Sequence, residues 1–288
     1  MDRLDDVLIK IKNMKKTFGV LILSVFLTSL IFISFNSCKN QAAKKEQKML
    51  EMEQEKTLEG EIESHVYPLP TSAEVIKMLT DLEVGYNIGI TNPVSNTKKY
   101  FDSKKKAINM GVFGADLSYV TLYNIQQEIM NYLDAIRTLT YDLNMSKVYD
   151  QSVYDSIRAN FDNKDKLVEV LTGTFEETYS YLSENDQQDL ALLVVGGAWI
   201  EGMYLTTHVS EAAYNVAGIS RNLIEQKKSF ELYLEITQPY ISNPVVGDFV
   251  KLLDPIKIVY EGLTTSLTLK DIKDITVAIE GIRAQIVQ

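Results

Sequence analysis

Three polar side chains that could take part in chemistry lie at helical spacing within an apolar segment. Glu201, Tyr204 and His208 follow one another at intervals of three and four residues, which places them on one face of a helix. The surrounding segment, Leu190–Leu205, is apolar almost all round and is typical of a central, buried helix. Because a buried ionisable group can hold a shifted pKa, this face could form the polar floor of a ligand pocket, with Trp199 nearby.

The same residues also have a structural interpretation, which the sequence favours. Acids are rarely left buried without a partner, so we expect Glu201 to bond to a tyrosine hydroxyl or to an arginine such as Arg137 or Arg158. Asp116 is expected in the first turn of a helix, where the helix dipole favours an acid. Four small residues in the apolar segment would let a neighbouring helix or a ligand approach closely: Gly196, Gly197, Ala198 and Gly202.

Other site chemistries find little support in the sequence. The chain has two histidines, His65 and His208, and one cysteine, Cys38. This set nearly excludes zinc sites built from Cys and His. A di-iron bundle needs Glu-x-x-His pairs, and neither histidine has a glutamate three residues before it. No nucleophile elbow and no phosphate-binding glycine pattern is present, so we expect no metal, no cofactor and no catalytic set.

The N-terminal segment has the parts of an export signal. A lysine pair precedes the apolar run Phe18–Phe35, and the small residue Ser37 stands directly before Cys38. A positive n-region, an apolar h-region and small residues at the cleavage point define a signal peptide, here residues 1–37. Met14 is an alternative start, which would make residues 1–13 a mis-assigned extension.

This arrangement resembles the lipobox of bacterial lipoproteins, although Phe35 and Asn36 depart from the usual leucine-rich pattern. The resemblance implies a diacylglycerol thioether on the Cys38 sulfur, cleavage before it and acylation of the new N-terminus. Lys39, where retained lipoproteins have Asp, implies delivery to the outer membrane. The absence of an acidic cluster just after Cys38 implies that the body faces the periplasm. Two or three acyl chains hold a protein on a membrane almost permanently, whereas one chain binds only marginally.

An uncleaved membrane-spanning helix is the alternative interpretation of the same run. Phe18–Phe35 has 18 residues, near the lower limit for crossing a hydrocarbon core of about 30 Å. Lysines lie on both sides of it, so the positive-inside rule orients it poorly. The single cysteine favours the lipoprotein, because its sulfur falls where the lipid would be attached.

The charge of the chain limits its partners. Removing residues 1–37 takes five Lys/Arg from 29 and three Asp/Glu from 39, which leaves 24 basic and 36 acidic residues and a formal charge of −12. That balance argues against a nucleic-acid binder. It also argues against docking on anionic lipid without the anchor. We therefore expect membrane attachment through the anchor, an envelope protein as partner and no nucleic acid.

The remainder divides into a tether and a body. Residues 38–65 are rich in Glu, Lys and Gln with few aromatic residues, which predicts a charged tether, disordered or helical. Residues 66–288 are long enough for one buried domain. Thr71 begins a capping box, a second helix is expected from about Thr97 to Asn109, and Gly111 and Gly114 are expected to bracket a turn before a long helix that ends at Asn144.

Further helices follow at heptad-like spacing, and no period-two run predicts a strand. We expect an Asn163 cap before the seam of Leu171, Phe175 and Leu182, and a Thr268 cap before five isoleucines at 272, 275, 279, 282 and 286. Between them come helices near Asp189–His208 and Ile219–Gln238, and one that starts at Asn243-Pro244 and is split or kinked at Pro255. The fold class predicted is an all-α, antiparallel multi-helix bundle without a β-sheet of note.

Two segments, Tyr67–Leu79 and Ala107–Tyr119, resemble a group of all-helical lipoproteins from Bacteroidetes-type bacteria. The resemblance implies export and an all-helical body, and it implies no reaction. The sequence therefore favours a periplasm-facing binding or scaffolding module. A small-ligand or sensory domain around Gly196–His208 is the alternative, and an envelope enzyme ranks third.

Overall fold

The computed structural model describes residues 85–87, 89–143, 145–208, 217–263 and 267–288. These residues all belong to Leu58–Gln288, the second of the two units into which the chain divides. Several predictions lie outside the described residues: the signal peptide 1–37 with Cys38, the tether 38–65, His65, the capping box at Thr71 and the first of the two resembling segments.

Nine α-helices and two short 3-10 helices account for most of the described residues. The α-helices are α1 Ser103–Leu122, α2 Gln126–Asp142, α3 Gln151–Ala159, α4 Lys164–Glu184, α5 Gln188–His208, α6 Ala217–Thr237, α7 Pro244–Leu252, α8 Asp254–Glu261 and α9 Leu269–Ile286. The 3-10 helices are Val94–Lys99 and Gln238–Tyr240. No strand occurs in this described part, so the all-α, multi-helix prediction is confirmed there.

Helix α5 is the central element. It packs against α1, α4, α6, α7 and α9, and nearly every residue from Leu190 to Thr207 is buried. Among the described helices, it is the one with the length and composition to cross a membrane, with a hydropathy of 1.4 over a window that is 83% buried. Because its neighbours cover it on several sides, that composition is typical of a core helix.

The predicted helix starts at Asn163, Thr268 and Asn243 are confirmed. The Asn163 side chain accepts from the Lys166 N–H at 3.2 Å, and Asn243 accepts from the Val245 N–H at 2.9 Å. Thr268 and Asp271 form a reciprocal capping box, and all five isoleucines that follow are buried. Pro255 lies in the first turn of α8, directly after α7 ends, as expected for a residue that cannot continue a helix.

The predicted turn at Gly111 and Gly114 is wrong, because α1 runs straight through both glycines. The chain instead turns after Leu122, where Asn124 has a positive φ of 52°. A Cβ on Gly111 would lie within 3.0 Å of the Val194 carbonyl oxygen, and one on Gly197 within 3.0 Å of the Ile108 carbonyl. Real Cβ atoms essentially never approach so closely. The two glycines therefore serve contact between the backbones of α1 and α5.

Candidate functional site

The polar face predicted on α5 exists, and its acid is paired with an arginine from α9. The Arg283 Nε donates to Glu201 Oε2 at 2.6 Å, and its Nη2 donates to Oε1 at 2.7 Å. Glu201 is fully buried and the Arg283 side chain is 14% exposed. A bidentate guanidinium–carboxylate pair of this kind is the geometry that best offsets the loss of hydration on burial.

Tyr204 and His208 extend this pair toward the surface. The Arg283 guanidinium lies 3.9 Å from the centre of the Tyr204 ring, and the His208 ring stacks on the same tyrosine at 3.9 Å. His208 Nε2 lies 2.8 Å from Glu280 Oε1, and its Nδ1 lies 2.8 Å from the Tyr204 carbonyl oxygen. Both of these oxygens are acceptors, so the ring links the end of α5 to α9 through Glu280.

Asp116 of α1 brings a second buried acid to the pair. It lies in the middle of α1 and is completely buried, so the expectation of a first-turn position is wrong. Its Oδ2 accepts the Asn92 backbone N–H at 3.1 Å, and the carboxyl is within hydrogen-bonding reach of Glu201. Its Oδ1 is buried and meets no donor.

These contacts are best satisfied when Asp116 carries a proton. Glu201 and Arg283 cancel each other's charge, so an ionised Asp116 would leave one uncompensated negative charge in the interior. A proton on the Asp116 carboxyl removes that charge and supplies a donor for a hydrogen bond with Glu201. Burial, followed by the repulsion of Glu201, raises the pKa of Asp116 well above its ordinary value. Burial also raises the pKa of Glu201, against the opposing hydrogen bonds from Arg283.

Asn92 ties the segment before α1 to this buried group. Besides the bond to Asp116, its side-chain amide donates to the Tyr100 hydroxyl at 3.0 Å, and its carbonyl accepts from the Tyr132 hydroxyl at 3.0 Å. Arg283 adds a bond of 3.2 Å to the Ile90 carbonyl. The polar group therefore fastens the stretch that enters the domain onto α1, α5 and α9.

Trp199, the fourth residue of the predicted pocket, belongs to a different cluster. Its ring N–H donates to Gln226 Oε1 at 3.0 Å, and its ring stacks on Phe230 at 5.0 Å and lies 6.4 Å from the ring of Tyr260. Side chains two positions apart on a helix differ in direction by about 200° around its axis. Trp199 and Glu201 therefore point to nearly opposite sides of α5. The structure brings Glu201, Tyr204 and His208 together and leaves Trp199 apart.

The small residues of α5 are covered by the protein itself. Gly197 faces the backbone of α1, and a Cβ on Gly196 would lie within 3.0 Å of both the Phe249 ring and the Tyr233 hydroxyl. Of the two occupants considered for this gap, a neighbouring helix is therefore the one present at Gly197. Gly196 is covered instead by two aromatic side chains, Tyr233 of α6 and Phe249 of α7.

The expected arginine partners of Glu201 are wrong. Arg137 lies over the Tyr154 ring at 5.4 Å, and Arg158 lies 3.9 Å from Asp155. The sequence did not indicate Arg283 as the partner of Glu201, because Arg283 directly follows Ile282 of the isoleucine seam in α9, where a charged residue is expected to be exposed. A charge flanked by Ile282 and close to Ile286 was nonetheless a usable signal, as was Asp116 among the apolar residues of α1.

This arrangement supplies structural pairing rather than a reaction centre. Both oxygens of Glu201 are taken by Arg283, and Asp116 is enclosed. In the described part of the chain, no group of three or more His, Cys, Asp or Glu is placed to hold a metal ion. What the site can do is hold one proton between two acids and lock three helices and the entering segment together.

Comparison with known proteins adds no relative from which a role could be transferred. No protein-family model, no curated protein and no solved structure matches the chain.

Proposed function

We propose that this chain is a lipid-anchored envelope protein whose helical body acts as a binding or scaffolding module. The anchor rests on the pattern around Cys38, with the lipid holding the body at the outer membrane on its periplasmic side. The all-α body matches what the resemblance to helical lipoproteins implies. The proposal assigns no reaction to the protein.

The observation that favours a binding or scaffolding role over a small-ligand role is the closed polar face of α5. Arg283 takes both oxygens of Glu201, and neighbouring backbone atoms and aromatic rings cover Gly196 and Gly197. A small-ligand or sensory role would need free polar groups around an open space at this position. We therefore rank that alternative second and an envelope enzyme third.

The outer surface offers apolar contacts for a partner. Large apolar side chains are exposed on the C-terminal pair α8 and α9, which pack together: Ile258 is 68% exposed, Leu269 is 64% exposed and Val277 is 58% exposed. Single exposed apolar residues are ordinary on soluble proteins. Three of them on two helices that pack together indicate where a search for a partner should begin.

Two experiments test this proposal. For the anchor, radiolabelled palmitate should enter the parent protein and not a Cys38→Ala variant, and the variant should leave the membrane fraction. Equal labelling and equal fractionation of the two proteins would contradict lipid attachment.

For the binding role, affinity purification from solubilised envelopes should recover a protein whose yield falls when Leu269→Ser and Val277→Ser are combined. The matched control is Tyr141→Ser, because Tyr141 is 74% exposed on a different helix. Equal losses in the double variant and the control would contradict a role for α8–α9. A small molecule that co-purifies with the parent and is lost from Glu201→Gln would instead establish the ligand alternative.

A further inference from the structure

A basic segment precedes and enters α1 in this acidic chain. Residues 98–106 contain five lysines and one acid, Asp102, whereas the whole chain has a net charge of −10. Lys98 and Lys99 form the last turn of the 3-10 helix. Three more lysines lie in the first turn of α1, of which Lys105 is exposed.

The lysines in α1 work against the stability of that helix. The N-terminal end of a helix carries partial positive charge and favours acids. Five other helices follow this rule, with an acid in the first turn: α2, α4, α5, α8 and α9. Helices α1, α3, α6 and α7 have none there, and of these four only α1 carries lysines in its first turn. Lys104 has a partner in Asp248 at 3.7 Å, whereas Lys105 is exposed at a helix end that favours acids.

Phe101 stands out in the same place because it is 83% exposed. It directly precedes the helix cap Asp102, a position where an apolar residue often packs on the fourth helical residue. That residue here is Lys106, so the usual apolar contact is missing. Phe101 is thus an aromatic ring among cations with its surface open to solvent.

The backbone on both sides of Phe101 is fixed. Tyr100 is buried, with its hydroxyl bonded to Asn92 at 3.0 Å and to the Val287 carbonyl at 3.2 Å. Asp102 accepts the Lys105 N–H at 2.8 Å. The ring is therefore presented outward from an ordered base.

We propose that Lys98, Lys99, Phe101 and Lys105, the Phe101 patch, dock the helical body onto the surface of an anionic phospholipid bilayer. An aromatic ring prefers the boundary between headgroups and acyl chains, and nearby lysines bind anionic headgroups. Charge complementarity favours this face, because residues 98–106 carry five lysines and one acid in a chain with a net charge of −10. The inference rests on the proposed lipid anchor.

The anchor explains how so small a patch could suffice. A few lysines and one ring would not hold an acidic protein on a membrane from solution. Once acyl chains fix the chain to the bilayer, docking of the body becomes an intramolecular step at high effective concentration. The patch then sets the orientation of the body rather than its attachment. A nucleic acid would require a broader basic surface.

The test uses the full protein, purified with its lipid and inserted into vesicles whose acyl chains carry bromine, which quenches tryptophan. A Phe101→Trp variant should be quenched by about twofold more than a Tyr141→Trp control in phosphatidylcholine vesicles that contain phosphatidylglycerol. The only native tryptophan, Trp199, is 6% exposed, and the parent protein gives its background. The difference should shrink in high salt and in vesicles without phosphatidylglycerol.

A charge test separates the patch from overall charge. In the Phe101→Trp background, Lys98→Glu, Lys99→Glu and Lys105→Glu combined should abolish the extra quenching. The matched control reverses three exposed lysines elsewhere, Lys228, Lys257 and Lys273, to glutamate. It changes net charge equally and should retain the quenching. Equal loss in both triple variants would overturn the proposal.

Flotation of the same vesicles distinguishes failure of the patch from failure of the anchor. Protein that does not float with the vesicles contradicts lipid attachment and the proposed function. Protein that floats while Phe101→Trp is quenched no more than the Tyr141→Trp control overturns docking by the patch and leaves the anchor standing. Capture of an acidic protein by the patch, with no quenching by lipid, would overturn it equally.

Discussion

On one side of α5, Trp199 donates to Gln226 and stacks on Phe230; on the other side, Glu201 meets Arg283 and Asp116. Both sides are buried, and on both sides polar side chains pair with each other inside the protein. The Trp199 side does so with one neutral hydrogen bond between large apolar surfaces. The Glu201 side requires two opposite charges and a proton on a third group.

The difference predicts two kinds of stability. Burial of neutral aromatic groups contributes free energy that does not depend on pH or on one particular partner. A buried ion pair contributes little net stability, yet removal of one partner is severe because it leaves a charge without compensation. Substitutions on the two sides of α5 should therefore differ in their cost.

The largest effect is expected from Arg283→Met. It leaves the Glu201 carboxylate buried without a counter-charge, so the free energy of unfolding should fall by about 3–5 kcal/mol. Urea unfolding of the detergent-solubilised protein measures this. Lys166→Met is the control, because it removes a cation from an exposed pair with Glu169 and should change stability by less than about 1 kcal/mol. Similar losses in the two variants would contradict a special role for the buried pair.

The next effect concerns the contact that brings Asp116 and Glu201 together. Gly197→Ala would place a Cβ against the Ile108 carbonyl, and backbone atoms cannot move aside as a side chain can. We expect a loss of about 1–3 kcal/mol in the free energy of unfolding. In Gly173→Ala, a new Cβ meets nothing within 4 Å, so that helical position should gain about 0.5–1 kcal/mol. A gain in both variants would show that α1 and α5 do not approach so closely.

The third prediction concerns pH. The pKa of Asp116 is raised in the folded state, so the folded protein holds a proton that the unfolded chain releases. Its stabilising contribution is complete below the unfolded pKa of about 4 and declines by about 1.4 kcal/mol per pH unit until the folded pKa is passed. Asp116→Asn mimics the protonated acid, since its amide can donate to Glu201 while its oxygen accepts from Asn92.

Urea unfolding across the pH range should therefore show a decline in the parent that Asp116→Asn largely removes. Asp162→Asn, a change at an exposed acid, should keep the slope of the parent. The same slope in all three proteins would contradict a buried proton at Asp116.

The smallest effect is expected on the Trp199 side. Gln226→Leu replaces the acceptor of the Trp199 ring N–H with an apolar side chain of similar size. Because the buried N–H then has no partner, the free energy of unfolding should fall by about 1 kcal/mol. The loss should be equal at all pH values, as followed by unfolding curves and by Trp199 fluorescence. A loss that varies with pH would show that the two sides of α5 are not independent.

The elements of this fold could be predicted better than their partners. Asn163, Thr268 and Pro255 act within a few residues of themselves, so their effects on helix ends can be deduced from local sequence. Gly111 misled because the same residue type serves both turns and close helix packing. Gly111 can be assigned to helix packing only when the position of α5 against α1 is known.

The polar face was predictable for the same local reason, since Glu201, Tyr204 and His208 lie on one helix. Their partners were not, because Arg283 is 82 residues from Glu201 and Asp116 lies on a third helix. Helical periodicity gives the direction in which a side chain points and not the element that it meets. Of the two kinds of partner expected for Glu201, a tyrosine hydroxyl or an arginine, the arginine is present, but it is Arg283 rather than Arg137 or Arg158.

The most direct test of this contrast is the protonation of Asp116 in the folded protein. The chemical shift of its carboxyl carbon, assigned by its loss in Asp116→Asn and followed by ¹³C NMR, reports the proton itself. Because burial raises the pKa of Asp116, we expect the shift of a protonated carboxyl to persist at pH values above the ordinary aspartate pKa of about 4. A carboxyl that ionises at the ordinary aspartate pKa of about 4 would mean that the interior holds an uncompensated charge and that Asp116 carries no buried proton.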